Sequence, residues 1–272
     1  MRHWATAILL LAAACQQQNR EPAATAAAIT FDGGDYATDA AKLAHGKRLA
    51  LMLDCTGCHR ANLQGQNVTR DDPKYGEMNA PNLTLALPKY SDADFAKLIR
   101  DGVPKDGREF WFMPVESFQF LSDRDFDALL AYLRTFKPTG KQLPPIRKGK
   151  GFYEDVERGF GNANQQVARY RAEPMPDLGP AYAKGRYLTQ TVCAACHNSQ
   201  LQGYPGFTPN LDIAGAYSAA ELETLLTTGK GKSKPDLGMM SEMSRDIFSR
   251  FTPAERQAII GYVKARADRN AK

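Results

Sequence analysis

Along this chain apolar residues recur at three- and four-residue intervals rather than alternately. Phe126, Leu129, Leu130 and Leu133 make one such stripe, and Ile259, Ile260 and Val263 make another, the spacing of a helix face turned towards a core. Four runs of this kind carry their own boundary signals. One opens at Tyr90-Ser91 and ends near Gly102; a second opens at Tyr217-Ser218 and ends at Gly229. The others run from Ser122 through Tyr132 and from Thr252 through Tyr262. Ser91 with Asp94, Ser218 with Glu221 and Thr252 with Glu255 place a hydroxyl three residues before a carboxylate, which satisfies free N–H groups at a helix start. Pro253 falls at a first helical position, where its missing N–H costs little, and Gly102 and Gly229 suit C-terminal stops. No stretch alternates convincingly as a strand. The pattern predicts an all-α chain.

The runs form two sets in the same order, and the segments around them match. Ala44-His45-Gly46-Lys47-Arg48-Leu49 corresponds to Ala183-Lys184-Gly185-Arg186-Tyr187-Leu188. Further on, Asn62-Leu63-Gln64-Gly65 corresponds to Gln200-Leu201-Gln202-Gly203, and Ala80-Pro81-Asn82-Leu83-Thr84 to Thr208-Pro209-Asn210-Leu211-Asp212. Self-similarity in fixed order predicts two copies of one domain.

Each copy contains one cysteine motif, Cys55-Thr56-Gly57-Cys58-His59 and Cys193-Ala194-Ala195-Cys196-His197. C-x-x-C-H is the attachment pattern of a c-type haem. Two thiols one turn apart reach two vinyl groups of one porphyrin, and the next residue offers an imidazole to the iron. A thioredoxin-like pair would follow a strand in a βαβ pattern, which neither motif does. One four-cysteine zinc site leaves unexplained why a histidine follows both pairs.

With these features the chain resembles class I cytochrome c, twice over, across residues 38–137 and 179–267. The resemblance implies a small helical bundle around each of two covalently attached haems, with first and last helices crossing. Gly46 and Gly185 match the family's small residue at that crossing, and Tyr132 and Tyr262 its aromatic partner. Pro81 and Pro209 match the proline whose carbonyl holds the proximal histidine, a bond that sets tautomer and orientation. For the sixth ligand the resemblance implies methionine. Met113, in Phe112-Met113-Pro114, is expected in the first domain, with Met78 as its rival. In the second, Met240 in Met240-Ser241-Glu242 is similar to the ligand segment of dehydrogenase-associated cytochromes, with Met239 and Met243 still open. His45 is expected to be a helical surface position. Phe110, Trp111, Phe112, Phe118 and Phe120 crowd around Met113, either as ordinary core packing or as a collar excluding water from the haem. A domain of about 90 residues buries little surface by itself, so the haem becomes its central packing element.

Residues 1–14 have a basic start, an apolar stretch and small residues before Cys15. They are too short to span a bilayer and read as an export signal, in keeping with haem attachment outside the bacterial cytoplasm in the resembled family. The alanine run before Cys15 resembles a lipoprotein cleavage site, with Ala12 where that signal prefers Leu. The four other cysteines are committed to haem, so lipid attachment at Cys15 is expected; ordinary signal-peptidase cleavage after Ala14 or further on is the alternative. Residues 15–37 are expected to be a tether, 138–178 a proline-bearing linker whose stretch Gly151–Arg171 forms a short helix or wraps a domain surface, and 268–272 a tail. Arg147, Lys148 and Lys150 in the linker suit a solvated basic loop better than a docking patch. The formal charge is +5, or +4 without Arg2 of the leader, and ionised haem propionates offset most of it. No nucleic-acid motif appears.

The expected function is that of an exported, periplasmic dihaem electron carrier, without catalytic residues, serving redox proteins such as a dehydrogenase, an oxidase or other cytochromes. A dihaem enzyme of peroxidase or thiosulfate dehydrogenase type is the alternative. It would need a distal His, a distal Cys or an easily displaced Met.

Overall fold

The computed structural model describes residues 28–271; the expected export signal and Cys15 lie outside them. The first copy is built from α1 (Asp39–Met52), α2 (Cys55–His59), α3 (Leu83–Ala86), α4 (Asp92–Asp101), α5 (Val115–Phe118) and α6 (Asp123–Leu133). Two helices follow between the copies, α7 (Lys150–Glu157) and α8 (Ala163–Ala172). The second copy comprises α9 (Ala183–Val192), α10 (Ala194–His197), α11 (Ala219–Thr228), α12 (Met239–Asp246) and α13 (Pro253–Asn270). Strand among the described residues is limited to β1 (Gln66–Asn67), β2 (Gly76–Glu77), β3 (Asn79–Ala80) and β4 (Arg147–Lys148). β1 pairs antiparallel with β3, and β2 with β4. The fold is all-α.

The capping signals act as their chemistry dictates. Ser91, Ser218 and Thr252 each accept from the third helical N–H, and the carboxylates of Asp94, Glu221 and Glu255 accept in return. α4 and α11 end at Gly102 and Gly229 in the left-handed region. In each copy the first and last helices cross at a glycine. A Cβ on Gly46 would overlap the Ala128 carbonyl, and one on Gly185 the Ala258 carbonyl. Only a bare backbone permits that approach. Leu49, Phe95, Ile99, Phe126 and Leu130 of the first copy and Leu188, Leu222, Leu226, Ile259 and Ile260 of the second fill the two ends of one continuous core.

The segment between the copies holds two helices, α7 and α8, where one short helix or a surface-wrapping stretch is expected. α8 turns Val167 and Tyr170 inwards and bridges the copies. Gln119 donates to the Val167 carbonyl at 3.4 Å, and the Tyr170 hydroxyl donates to the Ala194 carbonyl at 2.8 Å. The three basic residues ahead of it are paired rather than free: Arg147 with Glu77, Lys148 with Glu109 and Lys150 with Glu154. α13 runs to Asn270 with Ala267 buried, so most of the expected tail is helix.

The expected tether also behaves differently at its end. Phe31 is 0 % exposed, its ring edge-on to Tyr187 at 5.6 Å and to Phe251 at 5.9 Å. Its N–H donates to Asp125 of the first copy, while the next N–H, on Asp32, donates to Glu255 of the second. Lys184 and Thr252 bind the Asp32 carboxylate. Residues 29–36 are therefore a wedge between the domains, because an aromatic ring finds apolar cover there that a solvated tether would not give it.

The interface is reciprocal. Arg48 and Tyr187 occupy matching positions of α1 and α9, and each reaches the other copy. Arg48 forms an ion pair with Glu255, and Tyr187 donates to Asp125 at 2.5 Å. Glu255 and Asp125 are themselves matching third residues of α13 and α6.

Candidate functional site

α1 ends at Leu53 and the chain turns through Asp54, at φ 54°, into α2. Cys55 and Cys58 thus lie one helical turn apart, both as free thiols. Burial, helped by the Asp54 charge, pushes the Cys55 thiol up to about 12. His59 closes the turn, buried at 5 % exposure, with Nδ1 2.9 Å from the Pro81 carbonyl. A carbonyl only accepts, so Nδ1 carries the proton and Nε2 keeps its lone pair for a metal. Burial lowers the affinity of His59 for a second proton, and the Pro81 bond opposes this only in part. The neutral imidazole that iron requires is the favoured form.

The second copy repeats the geometry. α9 leads into α10, Cys193 and Cys196 are free, and His197 Nδ1 lies 2.9 Å from the Pro209 carbonyl. Burial again lowers its affinity for a proton, with the Pro209 carbonyl opposing. The loops carrying the prolines are also duplicated. Gly65 and Gly203 donate to the carbonyls of His59 and His197 at 2.9 Å. Both stand in the left-handed region, where a Cβ would overlap the Ala80 and Thr208 carbonyls respectively. The residue after each histidine, Arg60 or Asn198, also has positive φ. Such strain is held only where the surroundings over-determine it. The chain here is bent to bring a proline carbonyl onto an imidazole.

These residues fit a c-type haem and not the other metal readings. Among the described residues no three His, Cys, Asp or Glu side chains gather where they could hold a metal ion, so the two cysteine pairs do not build one zinc site. The described strands are two-residue ladders, with no βαβ unit behind either motif.

The methionines are placed unequally. Met113 is half-buried against the first core on a turn whose preceding residue, Phe112, has φ 65°. Met78 is fully buried beside β3, so burial alone does not separate the two. On α12, Met240 and Met243 lean on the second core, three residues apart and hence on one helix face. Met239 is 55 % exposed and points away from it.

His45 is not the surface residue expected from its helix. It is 4 % exposed, and its Nε2 lies 2.6 Å from the Asp125 carboxylate. The reason is the glycine crossing, which presses α1 onto α6 and carries the next-door side chain inside. The aromatic residues around Met113 divide: Phe118 lies in the core, whereas Trp111 and Phe112 pack on Phe152 of α7. Sequence reasoning also missed Glu116, buried on α5 beside Arg169, where loss of water pushes its carboxyl up to about 7 against the opposing pull of its own N–H and Arg169. Only an isolated acid in an apolar stretch marked it.

Two all-α units, each presenting a buried, carbonyl-tethered histidine behind a pair of free thiols, define a chain that binds two c-type haems. The cytochrome c family model matches it twice, over residues 43–137 and 182–267. The chain belongs to the cytochrome c family. It is 29 % identical to a nicotinate dehydrogenase subunit of Pseudomonas putida over 58 % of this chain and 14 % of that one. With the fructose dehydrogenase cytochrome subunit of Gluconobacter japonicus it shares 25 % over 82 % of this chain and 52 % of the relative. With the cytochrome c subunit of the alcohol dehydrogenase (quinone) of Gluconobacter oxydans it shares 32 % over 77 % and 48 %. The chain spans about half or less of the length of these relatives.

Proposed function

We propose that this protein is an exported dihaem electron carrier. It receives electrons from a dehydrogenase and passes them to a terminal acceptor such as an oxidase or another cytochrome. The observation that carries the reading is the duplicated Nδ1–carbonyl bond, His59 to Pro81 and His197 to Pro209, each behind two free thiols. Bound haem supplies an iron that gains and loses one electron.

The protein supplies the rest. Cys55 with Cys58, and Cys193 with Cys196, form the thioethers; His59 and His197 are the proximal ligands, oriented by Pro81 and Pro209. Met113 and Met240 are the distal ligands, and a thioether there raises the potential. With a histidine and a methionine committed to each haem, neither site would be open to peroxide or a sulfur substrate, the chemistry of the alternative dihaem enzyme. His45, bound to Asp125, is not free to serve as a distal ligand. We assign residues 38–137 and 179–267 to the two domains. The relatives named as dehydrogenase subunits support a dehydrogenase as the donor. No helix among the described residues is long and apolar enough to cross a membrane, and membrane contact is assigned to lipid on Cys15 after removal of residues 1–14.

The test is spectroscopic. The full protein should carry two covalent haems and show a methionine-to-ferric-iron charge-transfer band from each. Met113→Ala and Met240→Ala should each abolish one band. A high-spin ferric signal in the resting protein, or peroxidase turnover, supports the enzyme reading instead. Loss of the second band in Met243→Ala but not Met240→Ala moves that ligand by one turn. Palmitate labelling that survives Cys15→Ser removes the lipid anchor.

A further inference from the structure

Met113 lies outside any helix, whereas Met240 belongs to α12, whose start is tied down by Leu237 N–H to Ser241 Oγ at 2.8 Å and Ser241 Oγ to the Gly229 carbonyl at 2.5 Å. The turn carrying Met113 leans in part on the core and in part on the segment between the domains. β4 pairs with β2 on the first domain, and α7 then inserts Phe152, 1 % exposed, beneath the turn. The Trp111 ring meets Phe152 edge-on at 4.9 Å, and the Phe112 ring lies 5.8 Å from Phe152 and 5.6 Å from Phe160. Lys148 sits 4.8 Å over both Trp111 and Phe152. It also binds Glu109, which accepts from the Trp111 indole at 3.0 Å. Ala163 N–H closes the layer on the Phe110 carbonyl at 2.8 Å. Phe112 meanwhile has φ 65°, a conformation a bulky side chain keeps only when its neighbours enforce it.

We propose that Phe152 and Phe160 are positioning residues for the first haem: they clamp the Trp111–Phe112 turn from the interdomain segment and so hold the Met113 thioether on iron. Loosening this segment then opens the sixth position of the first haem and leaves the second closed. The inference rests on Met113 being the ligand.

The experiment uses the full dihaem protein. Phe152→Ala, with Phe152→Leu as the conservative variant, is made in the wild-type and Met240→Ala backgrounds, the latter leaving only the first domain's charge-transfer band. Imidazole is titrated into the ferric protein while the band and the potential of the first haem are followed. Phe152→Ala should bind imidazole at the first haem about tenfold more tightly, as the open state becomes about tenfold more populated. It should lose its band at a lower temperature and lower the potential of that haem; Phe152→Leu should restore most of each. Imidazole affinity within about twofold of wild type, with the first band intact, overturns the clamp, as does a change confined to the second haem. If Phe152→Ala does not fold with two haems, Phe160→Leu and Lys148→Ala give the same readouts under the same criteria. Met113→Ala separates the two readings: retention of both bands there sinks the ligand assignment, whereas loss of one band with a silent Phe152→Ala sinks only the clamp.

Discussion

Phe31→Ala should uncouple the two domains. The ring is 0 % exposed and lies between Tyr187 and Phe251 of the second domain, while its N–H is held by Asp125 of the first. A fully buried aromatic ring hides about 150–250 Å², worth about 4–6 kcal/mol at about 25 cal/mol per Å². Alanine keeps part of that, so the substitution costs about 3–5 kcal/mol, the usual range for buried Phe→Ala. Urea unfolding followed by Soret absorption is the assay. With a slope of about 2–3 kcal/mol per M, the first midpoint should fall by about 1–2.5 M, and a single transition should split as the domains cease to unfold together. Phe31→Leu, which keeps much of the volume, should lose less than half as much. A midpoint shift below about 0.3 M, with one transition preserved, refutes the wedge.

Three further outcomes follow from the same interface and cores. Burial would raise the Asp32 carboxyl, but the Thr252 hydroxyl and Lys184 ammonium outweigh it and leave it below its ordinary 3.8. Its stabilisation is therefore full above pH 3.8 and disappears as pH falls through the lower folded value; the deficit of Asp32→Asn in thermal melts should close over that window. Glu116 runs the other way. Its carboxyl rises from 4.5 to about 7 on burial, so wild type weakens as pH climbs between those values, and Glu116→Gln should melt increasingly higher than wild type, levelling off above pH 7. Finally, Gly185→Ala drives a methyl into the Ala258 carbonyl and should cost about 1–3 kcal/mol or more. Gly261→Ala, on the same crossing helix α13 with nothing near its Cβ, should gain about 0.5–1 kcal/mol; equal effects in paired melts would contradict the crossing.

Much of each domain is written in signals that span a single helical turn. Ser91 and Asp94, or Thr252 and Glu255, need only each other to start a helix, and the cores follow from the three-and-four spacing behind them. The haem motif is equally local, whereas Pro81 and Pro209, 22 and 12 residues after their histidines, were legible through the resemblance to class I cytochrome c. His45 misled because nothing along α1 marks it as buried; its burial comes with a partner 80 residues away. The interdomain layer on Met113 was hidden for the same reason, since nothing local to Phe152 or Phe160 points to a turn about 40 residues earlier. Met239 is the exposed one of the three methionines, and no signal in Met239-Met240-Ser241-Glu242-Met243 announces which face of α12 turns inwards.

The amino-acid order alone was enough for two haem-binding helical domains and the histidine, cysteine and proline residues of each, because covalent attachment and capping depend on neighbours a few residues apart. How the domains meet was not in it. Arg48 finds Glu255 at a separation of 207 residues, Tyr187 finds Asp125 at 62, and Phe31 reaches Asp125 at 94. Contacts of that range require both bundles in place with their carboxylates buried side by side, so tertiary packing, not local pattern, decided the wedge, the reciprocal interface and the support beneath Met113.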